Sequence, residues 1–201
     1  TEDESYLQML LDEDKYVHVE PKSEISFVAK GTAADSKTTF EIKEGAIVNS
    51  IHNKLSEDSE YVVNTPNATM AVRGTTFRVY CYYDENGICH TVIEVFSGEV
   101  EVCMIFPDKT TDDEKVIVKE GSSASIWMDE KSSGWDYKDR EIDLTSLPLD
   151  TVKFLKIMSA KGEDMFISED EIDQLIETLS EIFSVTFIND GEVFGTQQVQ
   201  Y

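Results

Sequence analysis

The chain carries 41 Asp and Glu, three His and three Cys, so the raw material for acid–base or metal chemistry is present. Its spacing is not that of a site. His18, His52 and His90 stand apart, and no serine has the Gly-x-Ser-x-Gly setting of an esterase elbow. Among so many carboxylates acid pairs arise by chance, and nothing singles out a glycosidase-like pair. One stretch imitates a calcium loop: Asp164, Ile167, Ser168 and Glu171 take its fifth, eighth, ninth and twelfth places. The first and third places then fall on Ala160 and Gly162, and Met165 replaces the turn glycine, so two early ligands are lost. Ser168 and Glu171 instead have the spacing of a capping box, in which each side chain satisfies an amide at a helix start. No catalytic, cofactor-binding or metal-binding residue is assigned.

The cysteines leave two readings open. Cys81 and Cys89 flank the turn-like Asp84-Glu85-Asn86-Gly87, and Cys103 lies on a later strand. A hairpin register that sets Cys81 opposite Cys89 puts both thiols on the face of Phe77, Val79, Ile93 and Val95, where a cross-strand disulfide is sterically conceivable. A four-residue loop shifts the pairing by one and separates them. Two buried or half-buried free thiols are the plainer reading, and three scattered cysteines do not make a zinc site, even with His90 adjacent.

The densest pattern runs from Asn64 to Val79. Pro66 holds Thr65 extended at the start of a strand. Ala68, Met70 and Val72 then alternate onto one face, and Gly74 allows a bend or a close approach to another strand. Arg73 is the notable charge in an apolar setting. Its five-donor guanidinium is expected to tie backbone carbonyls or a carboxylate together, with ligand contact as the alternative. Thr75 and Thr76 suit the turn or the strand, and Phe77 and Val79 are expected in the core.

Such residues need a β scaffold to place them. Short apolar runs separated by about 8 to 12 residues, with glycine turns such as Gly98 and Gly121, predict a mainly β fold. The expected form is an antiparallel β-sandwich or jelly-roll-like domain with a C-terminal αα-hairpin. Residues 1–15 read as an acidic N-terminal arm or short helix, 16–130 as the β domain and 131–147 as a polar connector. Residues 148–183 read as the αα-hairpin, and 184–201 as a β-hairpin or linker tail. The first helix would start near Pro148 with Ser146 as its cap, carrying Leu149, Val152, Leu155 and Met158 on one stripe. The second would start at Ser168 and carry Ile172, Leu175, Ile176, Leu179, Ile182 and Phe183.

The stretch Thr65-Pro66 … Val72-Arg73-Gly74-Thr75-Thr76-Phe77-Arg78-Val79 resembles the signature of the FecR family. The order continues similarly, with Thr91 to Val95, a return at Gly98 to Val102, and Gly121 before Ser123 to Ile126; the resemblance spans roughly residues 16–130. One departure is Phe96-Ser97-Gly98, where family members often carry an acid or a small residue before the glycine. The resemblance implies a non-enzymatic extracytoplasmic domain tethered beside a membrane segment. Some relatives relay iron-uptake signals to a sigma factor, and many sit in larger envelope proteins.

Charge limits the partners. Only 17 Lys and Arg face the 41 acids, a formal net charge of −24, so the counterion release that drives nucleic-acid binding has no basic cluster to work through. The acids suit a solvated, self-repelling surface or one that faces cations. No run approaches the ~20 apolar residues of a membrane span. The chain begins at Thr1 and is read as a processed or partial product, with any export or anchoring signal outside it. The expectation is an envelope module that binds a protein or a cell-wall polymer, or relays a signal, in a larger membrane-linked protein. A rigid assembly domain without a small ligand is the first alternative and a hydrolytic enzyme the second.

Overall fold

The computed structural model describes residues 1–200 except 33–34, 53–55, 57, 107, 109, 130–133, 181 and 190–191; the side chains at 128–129, 134–137 and 182–200 also lie outside the description. The chain divides into two units, residues 1–142 with 162–166, and residues 143–161 with 167–201.

The first unit is mainly β. Its strands are β1 (Leu7–Leu11), β2 (Lys15–Val19), β3 (Glu24–Lys30), β4 (Lys37–Ile51), β5 (Glu60–Asn64), β6 (Ala68–Val72), β7 (Thr76–Tyr83), β8 (Cys89–Ser97), β9 (Glu99–Ile105), β10 (Thr111–Lys119), β11 (Ser122–Asp129) and β12 (Gly134–Glu141). Hydrogen bonds run in the order β10-β9-β6-β5-β4-β7-β8-β11-β12, with β2 and β3 also on β4 and β1 on β2. The expected mainly β fold is present, as a near-closed barrel: one sheet path wraps round until β10 comes near β8 and β11.

Strand β4 causes the wrapping. Its first half pairs with β3 and β5, and its second with β2 and β7. Straight, its 15 residues would reach ~46 Å end to end. Yet the chain leaves at Ile51 and starts β5 beside Lys37 after eight intervening residues, which span at most ~31 Å. The strand must therefore curve. Its bend falls at Gly45, with φ of 93°, where a Cβ would lie 2.3 Å from the Ser23 hydroxyl. That hydroxyl accepts from the Ala46 N–H at 2.9 Å. The same return makes β4–β5 a parallel pair, a correction to a purely antiparallel reading.

The alternation of β6 and β7 fills the interior. Ala68, Met70, Phe77 and Val79 are fully buried, and Val72 nearly so, beside Phe40, Val63, Ile93 and Ile126. Each large apolar side chain contributes about 1.5–3 kcal/mol on burial. Tyr61 is equally buried, and its hydroxyl donates to Asn49 Oδ1 at 2.7 Å. Burial pushes its pKa well above the usual 10.0.

Two expectations along the β unit are refined. Of the two readings of the N-terminal segment, arm or short helix, residues 7–11 take the extended one, as an edge strand on β2. The β unit runs past 130, because residues 134–141 of the supposed connector are β12, paired along its length with β11. Five of its eight residues are charged, which hides an edge strand from a hydropathy reading.

The second unit contains α1 (Leu149–Ala160), α2 (Glu169–Leu179) and the antiparallel strands β13 (Ile182–Asn189) and β14 (Glu192–Gln200). Ser146 does not cap α1. Its hydroxyl donates to the Asp143 carbonyl within a 3-10 turn, and Pro148 begins the helix without a side-chain cap. The buried face of α1 is wider than one stripe, including Thr151, Val152, Phe154, Leu155 and Met158. Helix α2 ends at Leu179 rather than 183, so Ile182 and Phe183 open β13 instead of extending its stripe, and the helix fully buries only Ile172. Lys156 and Asp173 pair between the helices. The tip of the β13–β14 hairpin, expected at Asn189-Asp190-Gly191, lies outside the described residues.

Candidate interaction surface

The signature residues come together at two places. At the first, the turn between β5 and β6 is sewn to the opposite side of the barrel. The Thr65 hydroxyl accepts from the Ala68 N–H at 3.1 Å and donates to Asn67 Oδ1 at 3.0 Å. Thr91 of β8 donates to the same Oδ1. The Asn67 amide then donates to the carbonyls of Cys89 on β8, at 2.9 Å, and Ile126 on β11, at 3.2 Å. Pro66 sets the turn, and the buried side chains of Thr65 and Asn67 cross-link strands far apart in sequence. Sequence reasoning missed Asn67, whose carbonyl partners lie 22 and 59 residues away.

At the second place, Gly74 (φ 67°) and Gly98 (φ 80°) pack backbone to backbone. A Cβ on Gly98 would sit 3.0 Å from the Gly74 carbonyl oxygen, so the approach requires glycine. Thr75 donates to the Glu99 carbonyl at 3.1 Å, and Thr76 shares a hydrogen bond with Ser50. The Gly121 N–H donates to the Val95 carbonyl at 2.9 Å, closing the neighbouring turn.

Arg73 is where expectation and structure part. It is exposed and makes no hydrogen bond or ion pair among the described residues. It overlooks a groove of about 420 Å³ lined by Glu60, Tyr61, Val62, Ala71, Val72, Glu99, Glu101 and Ile117. The buried guanidinium belongs to Arg78, on β7. Its Nε and Nη2 donate to Glu20 at 2.6 and 2.8 Å, and its Nη1 donates to Glu94 at 2.8 Å. Burial works to lower the Arg78 pKa, but the hydrogen bonds and charges of Glu20, then Glu94, outweigh it and raise the value.

Beyond Arg78, which lies over the Tyr80 ring at 5.1 Å, an aromatic row crosses three strands. Tyr80 stacks on Tyr82 at 5.1 Å, Tyr82 on His90 at 5.0 Å, and His90 on Trp127 at 5.8 Å. Tyr80, Tyr82 and His90 each lie between two neighbours in this row, so little of their ring faces is left open. Such a row is a poor platform for a sugar ring, which needs an open aromatic face. His90 also meets Asp84 at 3.4 Å, His52 pairs with Glu163, and His18 is buried beside Gln8. The three histidines do not converge. No group of three or more His, Cys, Asp or Glu is placed to hold a metal among the described residues.

At the helix pair, Ser168 accepts from the Glu171 N–H, and the Glu171 carboxylate accepts from the Ser168 N–H at 2.9 Å. The hydroxyl and amide of Ser168 hold the Glu171 pKa below its usual 4.5. These two residues are used up in capping.

The model of the family described as FecR protein matches residues 1–101, half of the chain. The chain belongs to the FecR family. The match begins earlier and ends earlier than the 16–130 expected from the signature, taking in β1 and stopping on β9. Two crystal structures of an anti-sigma-factor candidate from Parabacteroides distasonis ATCC 8503, at 1.65 and 2.50 Å resolution, share the fold. The first superposes with a TM-score of 0.51 at 14% identity, covering 93% of each chain. The second gives 0.52 at 14% identity, covering 96% of this chain and 94% of that one. No curated protein matches the sequence.

Proposed function

We propose that this FecR-family chain is a non-enzymatic, extracytoplasmic recognition module that meets a protein partner and relays a signal within a larger membrane-linked protein. The likeness to an anti-sigma-factor candidate supports a signalling role. The observation that carries the reading is the division of labour inside the signature. Thr65, Ala68, Val72, Thr75, Phe77 and Val79 are buried in holding the barrel, whereas Arg73 stands exposed and unengaged above a groove. Arginine is the charged residue most used to anchor protein interfaces, because its planar fork binds carboxylates and carbonyls and its stem covers apolar surface. A protein partner suits the site better than a cell-wall polymer, since Tyr80, Tyr82 and His90 spend their ring faces on one another and on Arg78 and Trp127. No helix among the described residues is long and apolar enough to cross a membrane.

The test is capture of envelope proteins from the native host on the immobilised chain, beside Arg73→Ala and Arg73→Lys variants. The expected result is one specific partner held by the parent, weakened in the lysine variant and lost in the alanine variant, with identical melting curves. Equal capture by all three would move the binding surface elsewhere, and finding the full-length product only in the cytoplasm would overturn the reading.

A further inference from the structure

We propose that Cys81 and Cys89 form a reversible oxidation site, closing an intrachain disulfide across the β7–β8 hairpin when the folded protein meets a small-molecule or protein disulfide. Both cysteines are free, and their sulfurs lie 3.6 Å apart. The ladder sets Cys81 opposite Thr91 and Tyr83 opposite Cys89. The pairing is two residues out of the register that would oppose the two cysteines directly. A shift of two keeps them on the same face, as diagonal neighbours. A disulfide bond is about 2.05 Å long, so the sulfurs have roughly 1.5 Å to close, by rotation of the side chains together with a small shift of the two strands, because diagonal neighbours start ~7–8 Å apart.

The surroundings hold this geometry. The Asn67 amide grips the Cys89 carbonyl at the start of β8. In the connecting turn the Asp84 carboxylate accepts from the N–H groups of Asn86 and Ile88, at 2.8 and 2.9 Å. Ordering that unfolded chains must acquire on cross-linking is therefore already present, which favours closure over a mixed disulfide with a reagent.

The two thiols are also unequal. Cys81 is fully buried, and Cys89 is half-buried, so an incoming disulfide meets Cys89 first. The hydrogen bond from Cys81 lowers the Cys89 pKa against the effect of burial, helped by Thr91 and Tyr83; the same bond, with burial, raises Cys81. Cys89 as thiolate attacks one sulfur of the oxidant and expels the other as a thiolate, leaving a mixed disulfide. Cys81 then gives up its proton to that released thiolate and attacks the Cys89 sulfur, expelling the second half of the reagent. Two electrons pass from the cysteine pair to the oxidant, which ends as two thiols. Cys103 lies on β9, opposite Thr69 and Lys115, and provides an internal control.

The experiment incubates the folded chain with glutathione disulfide, blocks remaining thiols with an alkylating agent and maps the product by mass spectrometry. Cleavage after Glu85 separates Cys81 from Cys89, and cleavage after Glu94 or Glu99 separates both from Cys103. The expected product has lost two hydrogens, joins the Cys81 and Cys89 peptides, and keeps one alkylatable thiol at Cys103. Dithiothreitol should reverse it, and the oxidised form should melt higher than the reduced form. Cys103→Ser should leave the cross-link intact. Cys81→Ser should instead trap a glutathione adduct at Cys89, and that adduct remains readable even if the serine variant is less stable. Three alkylatable thiols after treatment, a cross-link through Cys103, or a persistent glutathione adduct on the parent protein would each overturn the proposal. None of these readouts depends on the partner at Arg73, so the two readings fail separately.

Discussion

Two arginines five residues apart show how differently one charge can be used. Arg78 is buried between Glu20 and Glu94, three donors spent on two carboxylates drawn from the end of β2 and from β8. Arg73, in the signature itself, pairs with no acid among the described residues, although Glu60, Glu99 and Glu101 line the groove beneath it. The hydrogen-bonding logic applied to Arg73 was sound chemistry placed one bend too early. A buried ion pair binds its elements together at the cost of desolvation, while an exposed guanidinium keeps its donors for something else.

The sharpest way to break the comparison is to remove each head group and read stability. Arg78→Ala should cost about 3–5 kcal/mol in denaturant unfolding, because it leaves two buried carboxylates without their cation. Replacing all three members by apolar residues of similar volume should recover most of that loss. If Arg78→Ala unfolds like the parent, the triad is peripheral and the contrast with Arg73 disappears.

A smaller effect is expected at the Thr65–Asn67 turn, where the polar side chains carry no charge. Asn67→Ala strands the carbonyls of Cys89 and Ile126 and should cost about 1–3 kcal/mol, with faster amide exchange at both ends of the seam. Unchanged exchange on β11 would show that the turn is held by β6 alone.

The capping box should show a pH dependence of its own. The Glu171 pKa is depressed in the folded state, so its stabilising contribution is complete above about 4.5 and disappears as pH falls through the lowered folded value. Ser168→Ala should cost about 1 kcal/mol at neutral pH and flatten this acid-side loss in the second unit. An equally steep acid limb in the variant would assign the pH dependence to other carboxylates. The smallest expected change is Arg73→Ala itself, within about 0.5 kcal/mol of the parent, as for a surface side chain without partners.

These contrasts also mark what the sequence could disclose. Alternation placed Phe77 and Val79 in the core because a strand with one dry face must repeat every second residue. Ser168 and Glu171 are legible because a capping box is closed within four residues. Arg78 is not, since its carboxylate partners lie 58 positions earlier and 16 later, and no local pattern distinguishes it from Arg73. The same holds for β12, whose charged run reads as a loop until β11 is beside it, and for β1, where Leu7-Gln8-Met9-Leu10-Leu11 has neither period. The signature was readable as a motif; the groove under Arg73 was not, because its walls come from β5, β6, β9 and β10.

The curvature of β4 bears on how the barrel comes apart. A strand that serves both halves of the sheet gives neither half an independent edge at which to begin unravelling. Loss of pairing with β3 and β5 would free the bend at Gly45 and loosen the register held by β2 and β7. Hydrogen exchange should therefore find the slowest amides of the β unit along β4, at matching opening free energies on either side of Gly45. The edge strands β1 and β12 should exchange through smaller local openings. In mechanical terms, β4 is the spine through which a pull on one half of the barrel is felt by the other.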